Sequence, residues 1–219
     1  MQSSGAKPAD KYPFTRRIEE LPAALSSIDP QQLAMVTGAE YWVDEGENGS
    51  FQIPVFDKTY LLPHPAFEVL EAQTGRAAPL GLQGVILFYF STADGTPLAG
   101  RWISFTELPD GRFYNQAFQG YSGRLLAERF GQDPAGLDGA VTKLGGRLLA
   151  SAAGPQIPGD RAFLIQALPR LPLLLAFWEG DEDFEATTQV LFDASAAHYL
   201  PTDVCAILGG MLARRLIGG

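Results

Sequence analysis

Carboxylates and a histidine gather in the last quarter of this chain of 219 residues. An apolar run ends in Phe177-Trp178 and breaks straight into Glu179-Gly180-Asp181-Glu182-Asp183-Phe184-Glu185. After Val190-Leu191-Phe192-Asp193 comes one of the two histidines, in His198-Tyr199-Leu200-Pro201-Thr202. Acidic groups and an imidazole just past a buried strand can bind a divalent metal or pair as acid and base. Spacing sets the condition. On one continuous helix, residues five apart point about 140° from each other, so Asp193 and His198 would diverge. If Asp193 closes a strand and a short helical turn follows, both can face one cleft with Asp181 or Asp183. The candidate cleft is therefore Trp178, Asp181, Asp183, Asp193 and His198, and the candidate metal ligands are Asp181, Asp183 and His198. A plainer account covers the same residues. Asp183 and Glu185 would favour a helix N-terminus and Glu182 would be solvated. His198 would bond a carbonyl or an acidic neighbour and fix the corner before Pro201.

Other motifs carry less. Gly120-Tyr121-Ser122-Gly123 resembles a nucleophile elbow, but Arg124 stands where the motif needs glycine, and a surface serine is expected. Ser195 and His198 lie three apart, an unusual geometry for a nucleophile and its base. Gly145-Gly146 reads as a helix stop and Gly209-Gly210 as a close helix contact; neither matches a phosphate loop. His64, between Pro63 and Pro65, reads as a rigid exposed loop residue. Cys205 reads as a small buried apolar residue, and Trp102 as core or pocket rim like Trp178.

The elements that must position these residues follow from pattern. Helices are expected over Thr15–Ser27, Pro30–Thr37, Tyr114–Phe130, Ala135–Leu144 and Thr202–Arg215, and over Leu80–Thr92, where periodicity fits a buried strand equally and Pro79 favours the helix. In Thr202–Arg215, Val204, Leu208, Met211 and Leu212 form a buried stripe. A hairpin over Gly49–Leu62 turns at Asp57-Lys58. Strands are expected over Gly100–Leu108, Arg161–Leu168, Leu171–Trp178 and Thr187–Asp193, and a long surface loop over Ala150–Gly159. Helices and strands mix without βαβ alternation. The expectation is one α+β domain over residues 14–219, a mixed or antiparallel sheet covered by helices, behind a loose tail of residues 1–13.

Composition narrows the function classes. A net charge of −9 repels nucleic acid and anionic membrane surfaces, so neither is an expected partner. A small molecule or a basic protein remains open, as does a divalent metal. One cysteine forbids an internal disulfide and a multi-cysteine cluster. The N-terminal residues show no apolar leader and the longest apolar run is broken by Gln166, Arg170 and two prolines, so a cytoplasmic protein is expected.

With these residues in view, the chain resembles the domain of unknown function 3786 family. The matching pieces are Gly100-Arg101-Trp102-Ile103-Ser104-Phe105, Leu144-Gly145-Gly146, Leu168-Pro169, Trp178 through Phe184, and Leu191 through Thr202. They run from about Tyr41 to the C-terminus. The resemblance implies relatives in anaerobic bacteria and archaea, some with a cysteine-rich iron–sulfur segment. This chain has Cys205 alone, so no cluster is expected. The family has no assigned activity and supplies no catalytic residues. It implies that the acidic segment and His198 belong to a shared signature.

The leading expectation is a non-catalytic ligand-binding or accessory protein of anaerobic metabolism, its acidic cleft drawing a cation, a cationic ligand or a basic partner. A metal-assisted, hydrolase-like enzyme using Asp181, Asp183 and His198 is the second reading. A structural or oligomeric role is the third. Convergence separates them: the enzyme needs His198 and two carboxylates within a metal's reach, the binding protein needs only a pocket.

Overall fold

The computed structural model describes residues 13–46, 49–149 and 157–218. Helix α1 (Pro13–Leu25) buries Ile18 and Leu25. Helix α2 (Pro30–Thr37) starts where Asp29 accepts the Gln31 N–H at 2.8 Å with Pro30 in first position, and stops at Gly38 in the left-handed region. Four antiparallel strands follow in spatial order β1 (Glu40–Val43), β2 (Gly49–Val55), β3 (Lys58–His64) and β4 (Leu70–Glu71). Phe51, Ile53 and Val55 alternate into the core as the hairpin pattern predicts. The turn falls one residue earlier than expected, at Phe56-Asp57, with Val55 opposite Lys58. Phe56 donates its N–H to the Ala167 carbonyl of the second sheet at 3.0 Å, a tertiary bond that no local pattern encodes. His64 corrects the sequence reading. It is half-buried at the end of β3, edge-on to the rings of Tyr41, Phe51 and Phe67.

Helix α3 (Leu80–Thr92) is buried at every position from Gly84 to Phe90, which is why its sequence shows no helical stripe. Near its C-terminal end the Tyr89 hydroxyl donates to the Thr37 carbonyl at 2.6 Å and accepts the Arg170 N–H at 2.9 Å. One side chain thus ties α2 and α3 to the second sheet.

That sheet comprises β5 (Trp102–Ile103), β6 (Arg147–Leu148), β7 (Arg161–Leu168), β8 (Leu171–Trp178) and β9 (Thr187–Asp193), ordered β5-β9-β8-β7-β6 and antiparallel throughout. The fold is α+β with two antiparallel sheets, where the sequence suggested one. The inner face of the second sheet, with Ile165, Leu175 and Phe192, joins the main core. Its outer face holds Ala162, Leu174, Ala176 and Leu191, with Trp102 and Trp178 packed against them.

Local chemistry explains two further departures. The strand expected over Gly100–Leu108 is cut to Trp102–Ile103, because Ser104 and Glu107 form a capping box that winds Phe105–Glu107 into a 3-10 turn. The helix expected over Tyr114–Phe130 is two, α4 (Gly111–Tyr121) and α5 (Gly123–Phe130). The break sits at Ser122, which is buried with its hydroxyl donating to the Phe118 carbonyl, and is not a surface serine. There α5 docks on β9: Thr188 Oγ1 donates to the Gly123 carbonyl at 2.6 Å, and a Cβ on Gly123 would lie 2.5 Å from the Thr188 carbonyl oxygen.

Helix α6 (Pro134–Lys143) is capped by Asp133, and the chain turns away at Gly145, φ +76°. Helix α7 (Thr202–Gly218) runs through the core and is buried on most sides, not along one stripe. Cys205 is fully buried, and a Cβ on Gly209 would lie 2.6 Å from the Phe118 ring, so the close contact expected there exists. Of the residues expected to form a loose tail, Pro13 opens α1; residues 1–12 and most of the Ala150–Gly159 loop lie outside the described residues. Among the described residues no helix is long and apolar enough to cross a membrane.

Candidate functional site

Strand β9 decides which predicted site residues meet. Thr187 at its start pairs with Trp178, and Asp193 at its end pairs with Trp102. A strand of this length spans about 20 Å. Trp178, Asp181 and Asp183 therefore belong to one end of the sheet, Asp193 and His198 to the other. Asp193 does close a strand, and Ala196–His198 does form the short helical turn that the shared cleft required. The strand itself keeps the two halves apart. Among the described residues no group of three or more His, Cys, Asp or Glu side chains is placed to hold a metal, and Asp181, Asp183 and His198 are not such a set.

The Asp193 end is a clamp. Asp193 is 1% exposed. Its Oδ1 accepts the N–H of Ala99 at 2.8 Å, the N–H of Ser195 at 2.9 Å and the Ser195 hydroxyl at 2.6 Å; its Oδ2 accepts the Gly100 N–H at 2.8 Å. Burial pushes this carboxyl up, but the four hydrogen bonds together outweigh it and hold the group below the ordinary range. The Ala194 N–H adds a bond to the Arg101 carbonyl at 2.8 Å. His198 places Nδ1 2.7 Å from Asp94 Oδ2 and 3.2 Å from Thr96 Oγ1, and the buried Tyr199 donates its hydroxyl to the Thr96 carbonyl. Asp193 through Tyr199 thereby fasten residues 94–101 to the end of the sheet. Sequence reasoning marked Asp94-Gly95 only as a turn; nothing local connects Asp94 to a histidine 104 residues away.

Asp94 supplies a pH test. The Thr96 hydroxyl, His198 and the Thr96 N–H lower its carboxyl from 3.8 to about 2. The folded value lies below the unfolded one, so the contribution is complete above about pH 4 and is lost as pH falls through about 2. Carboxyl titration by NMR is expected to place Asp94 near 2 in the wild type and higher in His198→Ala. Both side chains are half-exposed, so thermal unfolding at neutral pH should change little in that variant. Titration of wild-type Asp94 near its ordinary value would contradict the clamp geometry.

The Trp178 end is open. Between α4, α5 and the start of β9 lies a cleft with a cavity volume of about 890 Å³. Asn115 and Gln119 come from α4, Arg124 and Glu128 from α5, and Trp178 and Gln189 from the sheet. Glu185 lines it too, but Asp181 and Asp183 do not. Asp181 Oδ1 instead accepts the N–H groups of Asp183 and Phe184 at 2.9 and 2.8 Å, closing the β8–β9 connection as a turn where a helix N-terminus was an alternative. Of the five predicted cleft residues, Trp178 alone lines this space. The amides were missed because Asn115 and Gln119 on α4, Gln132 beyond α5 and Gln189 on β9 have no sequence signal that separates them from solvated surface.

Among the described residues the lining offers no histidine, cysteine or serine. It offers amides, which donate and accept, one guanidinium, two carboxylates and an indole. Such groups can hydrogen-bond and stack against a polar organic molecule. The molecule is thus an α+β protein in which one end of a central strand is clamped and the other borders a polar, tryptophan-sided cleft. Residues 29–215 match the family model described as domain of unknown function (DUF3786), and the chain belongs to that family. No curated protein and no solved structure matches it.

Proposed function

We propose that the protein is a non-catalytic binding protein whose ligand occupies the cleft between α4, α5 and the start of β9. The observation that carries this reading is the cleft itself: about 890 Å³, with amides and a half-buried indole converging on it. Its charged groups Arg124, Glu128 and Glu185 are exposed to solvent, which supports recognition over acid–base chemistry. The His198–Asp94 pair lies at the far end of β9, where its contacts serve the fold. A cytoplasmic accessory role agrees with the acidic charge and the single, buried cysteine.

Thermal-shift screening against a library of polar metabolites tests this. A ligand that binds only the native state raises the melting temperature, by about 2.7 kcal/mol of added stability at a hundred times its Kd. At least one library member should do so in the wild type and lose most of the effect in Trp178→Ala. A ligand whose effect survives in Trp178→Ala but disappears in His198→Ala would contradict the assignment.

A further inference from the structure

We infer that the cleft takes a neutral, hydroxyl-rich ring compound, an oligosaccharide of two or three units; this rests on the binding reading above. The first reason is the balance of donors and acceptors. Asn115, Gln119, Gln132 and Gln189 all line the cleft, and each amide carries both a carbonyl acceptor and an NH₂ donor. A sugar hydroxyl likewise donates and accepts, so every such contact can be satisfied in either sense. An anionic ligand would need donors alone.

Charge gives the second reason. Arg124, Glu128 and Glu185 sum to −1 in a chain of net −9, which opposes phosphorylated and carboxylated compounds. Arg124 and Glu128 stand one helical turn apart on α5, where their fields offset, which weakens the case for a cationic ligand.

Trp178 gives the third. It packs against the outer-face cluster of Ala162, Leu174, Ala176 and Leu191, which holds the indole in place, and it stays partly open to the cleft. A fixed indole is a flat apolar platform on which the C–H face of a pyranose ring can rest. Volume gives the fourth. About 890 Å³ is in the upper part of the small-molecule range, which leaves room for more than one ring.

Isothermal titration of the full chain decides the matter. The probes are α- and β-linked trisaccharides of glucose, mannose, galactose, xylose and N-acetylglucosamine, with spermidine and inorganic phosphate alongside. At least one trisaccharide should bind saturably, with Kd changing less than about twofold on raising salt from about 50 to 500 mM. Trp178→Ala should weaken it about tenfold or more. Gln132→Ala, at an exposed position that folding does not need, should weaken it about threefold. No binding by any trisaccharide overturns the inference, as does binding that both variants retain. If spermidine or phosphate binds in a Trp178-dependent way while no sugar does, the binding cleft stands and the sugar assignment fails.

Discussion

Asp193→Ala is expected to destabilise the protein by about 3–5 kcal/mol, the largest effect of any single polar substitution considered. The carboxylate is buried and accepts four hydrogen bonds. Removing it leaves the N–H groups of Ala99, Gly100 and Ser195 facing an apolar methyl where their acceptor had been. A buried orphan such as the Ser195 N–H costs about 1–3 kcal/mol, and the part-buried N–H groups of Ala99 and Gly100 rehydrate in part and cost less each. Asn at this position rescues little, because its NH₂ would point a donor at donors. Urea unfolding followed by tryptophan fluorescence checks this. For a chain of this size the melting temperature should fall by about 10 °C. A loss under about 1 kcal/mol would mean that residues 94–101 are not fastened by Asp193.

Tyr89→Phe is the second large effect, at about 2–4 kcal/mol. The ring stays and its packing with Tyr199, 5.8 Å between centroids, is kept. What goes is a hydroxyl that satisfies the Thr37 carbonyl and the Arg170 N–H together. Burial raises the Tyr89 hydroxyl far above its ordinary value, so it remains a neutral donor across the working pH range. Because these bonds join α2 and α3 to the β7–β8 turn, the loss should appear as a lower unfolding midpoint at unchanged m-value. Tyr199→Phe is the comparison. Its hydroxyl serves the Thr96 carbonyl in a half-exposed loop, where water can replace it, so that variant should lose less.

The contrast between these two tyrosines and the cleft shows what a single sequence carries. Helix α2 was legible from Asp29-Pro30, and strands β7, β8 and β9 from apolar runs punctuated by Pro169-Arg170 and by the acidic turn. Those signals are local: a cap, a proline, a run of apolar residues. Strands β1 and β4 are too short for alternation to show, and the break at Ser122 adjoins the Gly123–Thr188 bond, whose partners are 65 residues apart in sequence. The site split along the same line. Trp178 was legible as a large aromatic at a strand end. The acidic residues beside it were grouped with His198 because they are near in sequence, yet seven residues of extended chain hold them apart. Gln119, Arg124, Gln132 and Gln189 converge only once α5 has docked on β9, and no spacing rule brings them together.

One end of β9 is fastened by the Asp193 clamp, and the other borders the cleft proposed to bind a ligand. The chain carries three tryptophans, Trp42, Trp102 and Trp178. Trp102 pairs with Asp193 at the clamped end, Trp178 lines the cleft, and Trp42 lies on β1 in the other sheet. Fluorine NMR of the 5-fluorotryptophan protein, assigned by single Trp→Phe substitutions and titrated with a mixture of polar metabolites and oligosaccharides, reads all three places at once. The Trp178 resonance should shift saturably while those of Trp102 and Trp42 stay where they are. A saturable shift at Trp102 with Trp178 unmoved would place binding at the His198 corner and contradict the proposed function.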